Sequence, residues 1–274
     1  MGINCAEGVR MSEYSNYLNF AKEIAYEAGR IMKKYFEQDN GSSYKGDRTI
    51  VTLADKEINS YLIKRVKEQY PNHCVLGEEE SFEKESNYVW VCDPVDGTAM
   101  YARHIPVAVF SLALVIDGVS VVGVVYDPFT NNIYSAIKGE GAYRNEERIT
   151  VNDFALDDMR SVSHFDVWQT VPYPDVWKVY EELGKKTYFV SLGTIIRASM
   201  CVATGDFVLA IFPATVGKNF DIAAVKVIVE EAGGLVTNFW GEDQRYDKEI
   251  DGAVVSNGVV HDEVLAVIKK YLKK

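Results

Sequence analysis

Trp90-Val91-Cys92-Asp93-Pro94-Val95-Asp96-Gly97-Thr98 decides how the rest of the chain reads. The apolar run from Tyr88 to Cys92 predicts a buried strand. It meets two carboxylates, a proline, a glycine and a threonine. Proline lacks the ladder N–H and fixes its own φ, so the strand is expected to stop there. Gly97 lets the backbone come close to a neighbour, and the residues after it can open a helix whose first N–H groups are unpaired. Two acids three apart on a tight turn, facing a helix start, suit a divalent cation that also holds a phosphate. Asp and Gly also fill ordinary turns, so the stretch alone carries little; the other ligands decide.

Composition narrows the classes. A chain of 274 residues, 47% apolar and 25% charged, has an ordinary globular make-up and enough length for a large core. The net charge of −11 argues against a nucleic-acid surface and leaves room for a carboxylate cluster that metal neutralises. Cys5, Cys74, Cys92 and Cys201 lie far apart with no CxxC pair, which predicts neither zinc site nor disulfide framework, and a reducing, cytoplasmic setting. The longest apolar run, Val107 to Ile116, is too short to span a bilayer, and no basic-then-apolar signal opens the chain. Ala6 stands where a myristoylation pattern needs Ser or Thr. No membrane or nucleic-acid partner is expected.

Along the chain, residues 1–13 read as a loose leader and Tyr17, Phe20, Ile24, Ala28, Ile31 and Tyr35 recur at helical spacing from Tyr14 on. The polar stretch Gln38 to Gly46 predicts a loop, and a second helix carries Ile58, Leu62 and Val66 on one face. Asp55 stands at its start, where an N-cap or a first-turn acid is the plain reading. A short strand, Cys74 to Leu76, runs into Gly77-Glu78-Glu79-Glu80. Two β-branched runs split by Asp117-Gly118 predict a hairpin, and Ile133 to Arg144 extends it into an antiparallel sheet. The best internal boundary follows, giving halves at 14–153 and 154–274 in one compact unit with the site between them.

The second half alternates helix and strand: a strand at Tyr188 to Leu192 leads through Gly193-Thr194 into a helix, and Asp221 opens another that Gly233-Gly234 halts. Gly217-Lys218 lacks the glycine spacing of a P-loop. The four histidines, His73, His104, His164 and His261, are scattered and read as surface or turn residues. The fold class is thus layered α/β: a helix pair on a large antiparallel sheet, then a smaller α/β half.

Asp55, Glu78, Asp93 with Asp96, and Asp221 share one pattern, each at an element end beside a glycine or a helix start. Oxygen-only ligands select hard cations such as Mg²⁺ or Mn²⁺, which phosphoryl chemistry uses in pairs. Gly77-Glu78-Glu79, Asp93-Pro94-Val95-Asp96-Gly97-Thr98 and Asp221-Ile222-Ala223-Ala224 with Glu231-Ala232-Gly233-Gly234 resemble, in order and spacing, the signatures of the inositol monophosphatase-like, lithium-sensitive Mg²⁺ phosphatases. The resemblance implies an α-β-α-β-α sandwich, commonly a homodimer, that hydrolyses a small phosphorylated metabolite with two or three Mg²⁺ ions, Mn²⁺ being a possible substitute. It implies that Glu78, Asp93 and the Val95 carbonyl hold one metal, and that Asp93, Asp96 and Asp221 hold a second. Thr98, bonded to Asp55 and working with Glu78, would position the attacking water. Gly97, Thr98, Gly193, Thr194 and Lys218 would face the substrate, and Glu79 would stand behind the metal ligands.

The sequence departs from the family pattern in places. Met100 and Tyr101 follow the motif where Asn and Phe or Tyr are usual, Ala54 replaces Thr, and Phe220 replaces Trp. None of these is a metal ligand. The stretch Phe212 to Asn219 lacks the glutamate that grips sugar hydroxyls in true inositol monophosphatases. Lys218 there suits a second anionic group, as in a bisphosphate or nucleotide. Two rivals rank lower: a haloacid dehalogenase-type phosphatase, whose acids stand two apart rather than three, and a non-catalytic metal-binding module, which has no reason to keep every ligand.

Overall fold

The computed structural model describes residues 5–38, 40–46, 49–166, 173–213 and 218–273, with side chains from Tyr14 onward. The helical stripe that starts at Tyr17 is the buried face of α1 (Cys5–Phe36), which packs beside α2 (Leu53–Gln69) through Phe20, Ile24, Ile58 and Leu62. α1 starts at Cys5, nine residues ahead of Tyr14, so the expected loose leader is helical from residue 5; residues 1–4 lie outside those described. The periodicity marks where the helix is buried. Ala6, Glu7, Arg10 and Met11 favour helix and no proline interrupts residues 5–13, so the helix extends through them despite Gly8. Between the helices, β1 (Ser43–Tyr44), in the stretch read as loop, pairs antiparallel with β2 (Ile50–Val51), which lies beyond it.

The helix pair covers one face of a seven-stranded sheet. In chain order it holds β3 (Cys74–Gly77), β4 (Tyr88–Asp96), β5 (Val109–Ile116), β6 (Val119–Asp127), β7 (Asn132–Ile137), β8 (Gly141–Arg144) and β9 (Glu147–Ile149). A single-turn helix, α3 (Thr98–Tyr101), follows β4. The hairpin at Asp117-Gly118 has both residues at positive φ, 52° and 87°. β3 runs parallel to β4, so the sheet is mixed rather than wholly antiparallel.

Two further layers follow. β10 (Val162–Phe165), α4 (Val176–Leu183), β11 (Tyr188–Val190), α5 (Ile195–Ala203), β12 (Leu209–Phe212), α6 (Asn219–Glu231), β13 (Leu235–Thr237), β14 (Ala253–Ser256) and α7 (His261–Tyr271) complete the chain. The second sheet has the order β11-β10-β12-β14-β13, with β10, β11 and β12 mutually parallel. α5 and α6 lie between the two sheets, and α4 and α7 cover the outer face of the second. Both faces of each sheet are therefore buried, which is why the strands read as continuous apolar runs. In β4, Val89 and Val91 face α6 while Trp90 and Cys92 face α1. No described helix is long and apolar enough to cross a membrane.

Two expectations are corrected here. β4 does not stop at Pro94 but continues to Asp96: Asp93 pairs with Ser111 and Asp96 with Val109, so Pro94 and Val95 bulge opposite Phe110. The bulge absorbs the missing N–H and re-aims the two acids. Three of the four histidines are buried rather than superficial. His73 accepts from the Trp90 indole at 3.2 Å and stacks between Tyr70 and Tyr88. His261 bonds Ser256 at 2.8 Å and Thr237 at 3.0 Å, and His164 lies under Phe212.

Candidate active site

Topology gathers the acids. β3 and β4 are parallel, so their carboxyl ends, carrying Glu78 and Asp93 to Gly97, open on the same side. β10, β11 and β12 are parallel too, and Asp166, Gly193-Thr194 and Lys218 follow their carboxyl ends. All of these residues but Pro94 line one cavity of ≈ 270 Å³, together with Asp221 from the first turn of α6. Ligands in open α/β sheets bind outside the carboxyl ends of strands, and this cavity obeys that rule with two sheets at once.

Each acid is held by its element. Asp55 is fully buried near the start of α2, where one oxygen accepts from the Thr52 amide at 2.8 Å and the Thr52 hydroxyl at 2.5 Å. Thr52 is the N-cap, and Asp55 is the first-turn acid that closes a capping box with it, the second of the two plain readings. Its other oxygen faces Thr98 Oγ1 at 3.4 Å. Thr98 Oγ1 also donates to the Val95 carbonyl at 2.8 Å. Asp93 accepts from the Val95 amide at 2.9 Å and lies against Asp221. Asp96 reaches across to the second sheet's helices, accepting from Ile196 N at 2.9 Å, Ile195 N at 3.3 Å and the Thr194 hydroxyl. It thereby caps α5 from outside. Gly97, at φ 86°, sits against Thr194: a Cβ there would lie 3.2 Å from the Thr194 Cβ. A side chain at that position would be both strained and crowded. Met100, where the family pattern has Asn, packs on Gly193 instead.

The electrostatics are unbalanced. Burial, then the charges of Glu78, Asp96, Asp221 and Asp55, pushes Asp93 well above the usual carboxylate range. Burial raises Asp221 likewise against the pull of Lys218. Burial lifts Asp55 to about 7 even though Thr52 hydrogen bonds oppose it. Burial lifts Asp96 to about 6 against the bonds from α5. Glu78 is raised by burial and by Glu79, with Lys45 and Lys218 opposing. Carboxylates in this state either hold protons or need a cation.

An all-oxygen donor set with excess buried negative charge fits a hard divalent ion. Among the described residues, Asp55, Glu78 and Glu79 also bring carboxylate oxygens within 4.8 Å of one another. Lys45, from the β1–β2 hairpin, bonds Glu79 at 2.5 Å and Glu78 at 3.3 Å.

The residues singled out from the sequence for the site lie in or against this cavity: Asp55 through Thr98, Glu79 off the lining beside Glu78 and Asp55, and the others on its lining. Residues 214–217, before Lys218, lie outside those described. Sequence reasoning missed Lys45, Arg103 and Asp166. Arg103 lines the cavity with Nη1 bonded to the Ala99 carbonyl at 2.6 Å. In sequence Lys45 is one of several charges in a polar stretch, Arg103 follows the Asp96-Gly97-Thr98 motif without belonging to it, and Asp166 comes after a short strand; only the tertiary path brings them in.

Comparison with known proteins agrees. A model of the inositol monophosphatase family matches residues 13–273. A fructose-1,6-bisphosphatase/inositol-1-monophosphatase of Thermotoga maritima is 32% identical over 264 residues, covering 94% of this chain and 97% of the relative. A Nus factor SuhB of Pasteurella multocida is 34% identical over 230 residues, 82% of this chain and 85% of that one. The solved structure of an IMPase from Thermotoga maritima superposes with a TM-score of 0.82 at 28% identity, over 93% of this chain and 98% of that chain. With the layers, the cavity and the sequence match all running through the same residues, the chain belongs to the inositol monophosphatase family and is a phosphatase acting on phosphoric monoesters.

Proposed function

We propose that this phosphatase is Mg²⁺-dependent and hydrolyses the monoester of a small phosphorylated metabolite: an inositol phosphate, a sugar bisphosphate or a nucleotide phosphate. The observation that carries the proposal is the set of buried carboxylates converging on a ≈ 270 Å³ cavity with too few cations beside them. The volume lies near the small end of ligand pockets, roughly 300–1,000 Å³, which suits a small metabolite. The name of the Thermotoga relative, which covers a bisphosphate and a monophosphate, supports that range of substrates.

Glu78, Asp93 and the Val95 carbonyl would hold one ion, and Asp93, Asp96 and Asp221 a second, Mn²⁺ being able to replace Mg²⁺. When bound, such ions neutralise the cluster, acidify a coordinated water and stabilise the leaving oxygen. The chain's own groups do the rest. The amides of Gly97 and Thr98 would face the phosphate from the turn after β4, with Gly193 and Thr194 packed beside them. Asp55 accepts the Thr98 proton, which leaves the Thr98 oxygen free to accept from water and aim it. Glu78 completes that arrangement, and Lys218 attracts a second anionic group. The family resemblance favours a homodimer and a lithium-sensitive reaction, and the buried thiols of Cys74 and Cys92 suit a reducing, cytoplasmic setting.

The test is phosphate release with and without Mg²⁺ from inositol 1-phosphate, fructose 1,6-bisphosphate, 3′-phosphoadenosine 5′-phosphate and NADP, with lithium as challenge. Metal-dependent release from one ester, inhibited by lithium, is the expected result. Equal release in chelator would overturn the metal assignment. The name of the Pasteurella relative favours a second reading, a binding role on the same fold; silence on every ester with metal still bound would select it.

A further inference from the structure

Among the described residues, four buried polar side-chain atoms have no hydrogen-bond partner: Ser111 Oγ, Ser120 Oγ, His164 Nε2 and Tyr246 OH. Ser120 and Tyr246 open on a hollow of ≈ 120 Å³ against the last turns of α6, which has room for water. His164 packs its ring on Phe212 and accepts from the Leu192 amide through Nδ1 at 3.4 Å. Ser111 has neither recourse: it is buried, and it lines neither that hollow nor the catalytic cavity. Its place in the sheet is specific. Ser111 is the partner of Asp93 across the β4–β5 pair. Side chains directly opposite one another share a face, with Cβ atoms about 4.5–5.5 Å apart. Val91 and Ala113, the next residues on that face, pack under α6, so Asp93 and Ser111 both point toward this helix. Asp221, in its first turn, lies against Asp93, and Ala224, one turn on, crosses at Gly123, the partner of Ala113. Ser111 therefore stands beneath the first turn of α6, beside two of the proposed ion ligands.

An unpartnered hydroxyl in a packed interior costs stability, and alanine, the residue at position 113 on the same face, differs from serine only by lacking it. Asp93 has one amide donor among the described residues, Val95 N on Oδ1 at 2.9 Å. A carboxylate that ligates a metal is oriented by the hydrogen bonds it accepts from the groups behind it. We infer that Ser111 is a positioning residue: in the ion-loaded protein its hydroxyl donates to the Asp93 carboxylate and fixes the orientation in which Asp93 meets both ions. The inference rests on the metal assignment of the same site and adds to it a residue that touches neither ion nor substrate. Outer partners of this kind change metal affinity about 10- to 100-fold. Because the donor has no acceptor beforehand, Ser111 carries a distinctive signature. Its hydroxyl costs stability without the ion and contributes to binding with it.

The experiment is calorimetric titration of Mg²⁺ into wild type and Ser111→Ala, beside urea unfolding of both in chelator. Ser111→Ala should bind Mg²⁺ about 10- to 100-fold more weakly. Its urea midpoint in chelator should equal or exceed that of the wild type. In phosphate release the same variant should need more Mg²⁺ for half-maximal rate, with KM for the ester unchanged at saturating Mg²⁺. Ser111→Cys, which keeps a weak donor, should recover part of the affinity. Ser120→Ala removes an unpartnered hydroxyl at the far end of α6 and should leave Mg²⁺ binding unchanged. A Mg²⁺ affinity within about threefold of wild type in Ser111→Ala overturns the inference and leaves the metal assignment standing. A lower urea midpoint in chelator also overturns it, because the hydroxyl then serves the fold without the ion. Equal weakening in Ser120→Ala overturns it too, since any buried hydroxyl would then do the same. A wild type that takes up no Mg²⁺ removes the metal assignment, and the inference with it.

Discussion

Thr98 has one hydroxyl proton and two acceptors in reach, the Val95 carbonyl at 2.8 Å and Asp55 at 3.4 Å. The shorter bond leaves Asp55 without its partner; the longer one makes the pair that aims water. Removing the hydroxyl removes both possibilities, so Thr98→Ala should lower kcat by about 100-fold or more, in the range general for acid–base groups. Asp55→Asn should do the same, and the double variant should be little worse than either single one, because the two act as a unit. Additive losses in steady-state kinetics would show that they act separately. Asp93 is different in kind: it is buried among four other acids and sits where both proposed metals meet. Asp93→Asn should leave the circular dichroism spectrum native and abolish Mg²⁺-dependent turnover. Rates near wild type in that variant would remove Asp93 from the centre of the site.

Elements aim these residues, and their packing has tight points. α6 crosses β6 at Gly123, where a Cβ would lie 2.6 Å from Val227 Cγ1 and 2.9 Å from the Ala224 carbonyl. Gly123→Ala must push α6 off the sheet, and α6 carries Asp221. The urea midpoint should fall by the equivalent of about 1–3 kcal/mol, with weaker metal binding alongside. An unchanged midpoint would mean the helix shifts freely. The same scale explains what could be read from the chain. Strand ends followed by glycine, proline and acids were legible because local chemistry writes them: Gly77-Glu78, Asp93 to Thr98 and Asp221 all carry their own punctuation. The helices, the meander and the layered class followed from periodicity. Pro94 was misread because a bulge solves the missing donor without ending the strand, and only pairing with β5 reveals it. The buried histidines were misread because their partners, such as Trp90 for His73, lie far off in sequence. Asp166 had no glycine or helix start beside it, so nothing local marked it; the parallel order of β10 and β12 puts it in the cavity.

For the whole molecule, the cluster links stability to pH with a definite sign. Asp55 rises to about 7 and Asp96 to about 6, and Asp93, Asp221 and Glu78 are also raised, all led by burial. A folded-state pKa above the unfolded one means the folded protein binds protons more tightly. The stability this contributes is full below about pH 4, the unfolded carboxylate range, and is lost as pH rises through 6 and 7. Each proton so held changes the slope by about 1.4 kcal/mol per pH unit. The buried histidines work the other way: burial lowers His164 to about 4 and lowers His261, so their contribution is present above about pH 6.5 and is lost as pH falls. A bare melting curve therefore mixes two trends, and the cluster is isolated by difference. In chelator, Asp93→Asn should gain on wild type as pH goes from 5 to 8, because it removes one of the repelling charges. Mg²⁺ should do the opposite to the wild type's deficit: it competes with protons, so its shift of the melting temperature should be small at pH 5 and largest at pH 8. Differential scanning calorimetry of both proteins, with and without Mg²⁺ at the two pH values, measures all of this. Equal Mg²⁺ shifts at pH 5 and pH 8 would mean that the ion binds away from the buried acids, and the assignment of Asp93, Asp96 and Asp221 would fall with it.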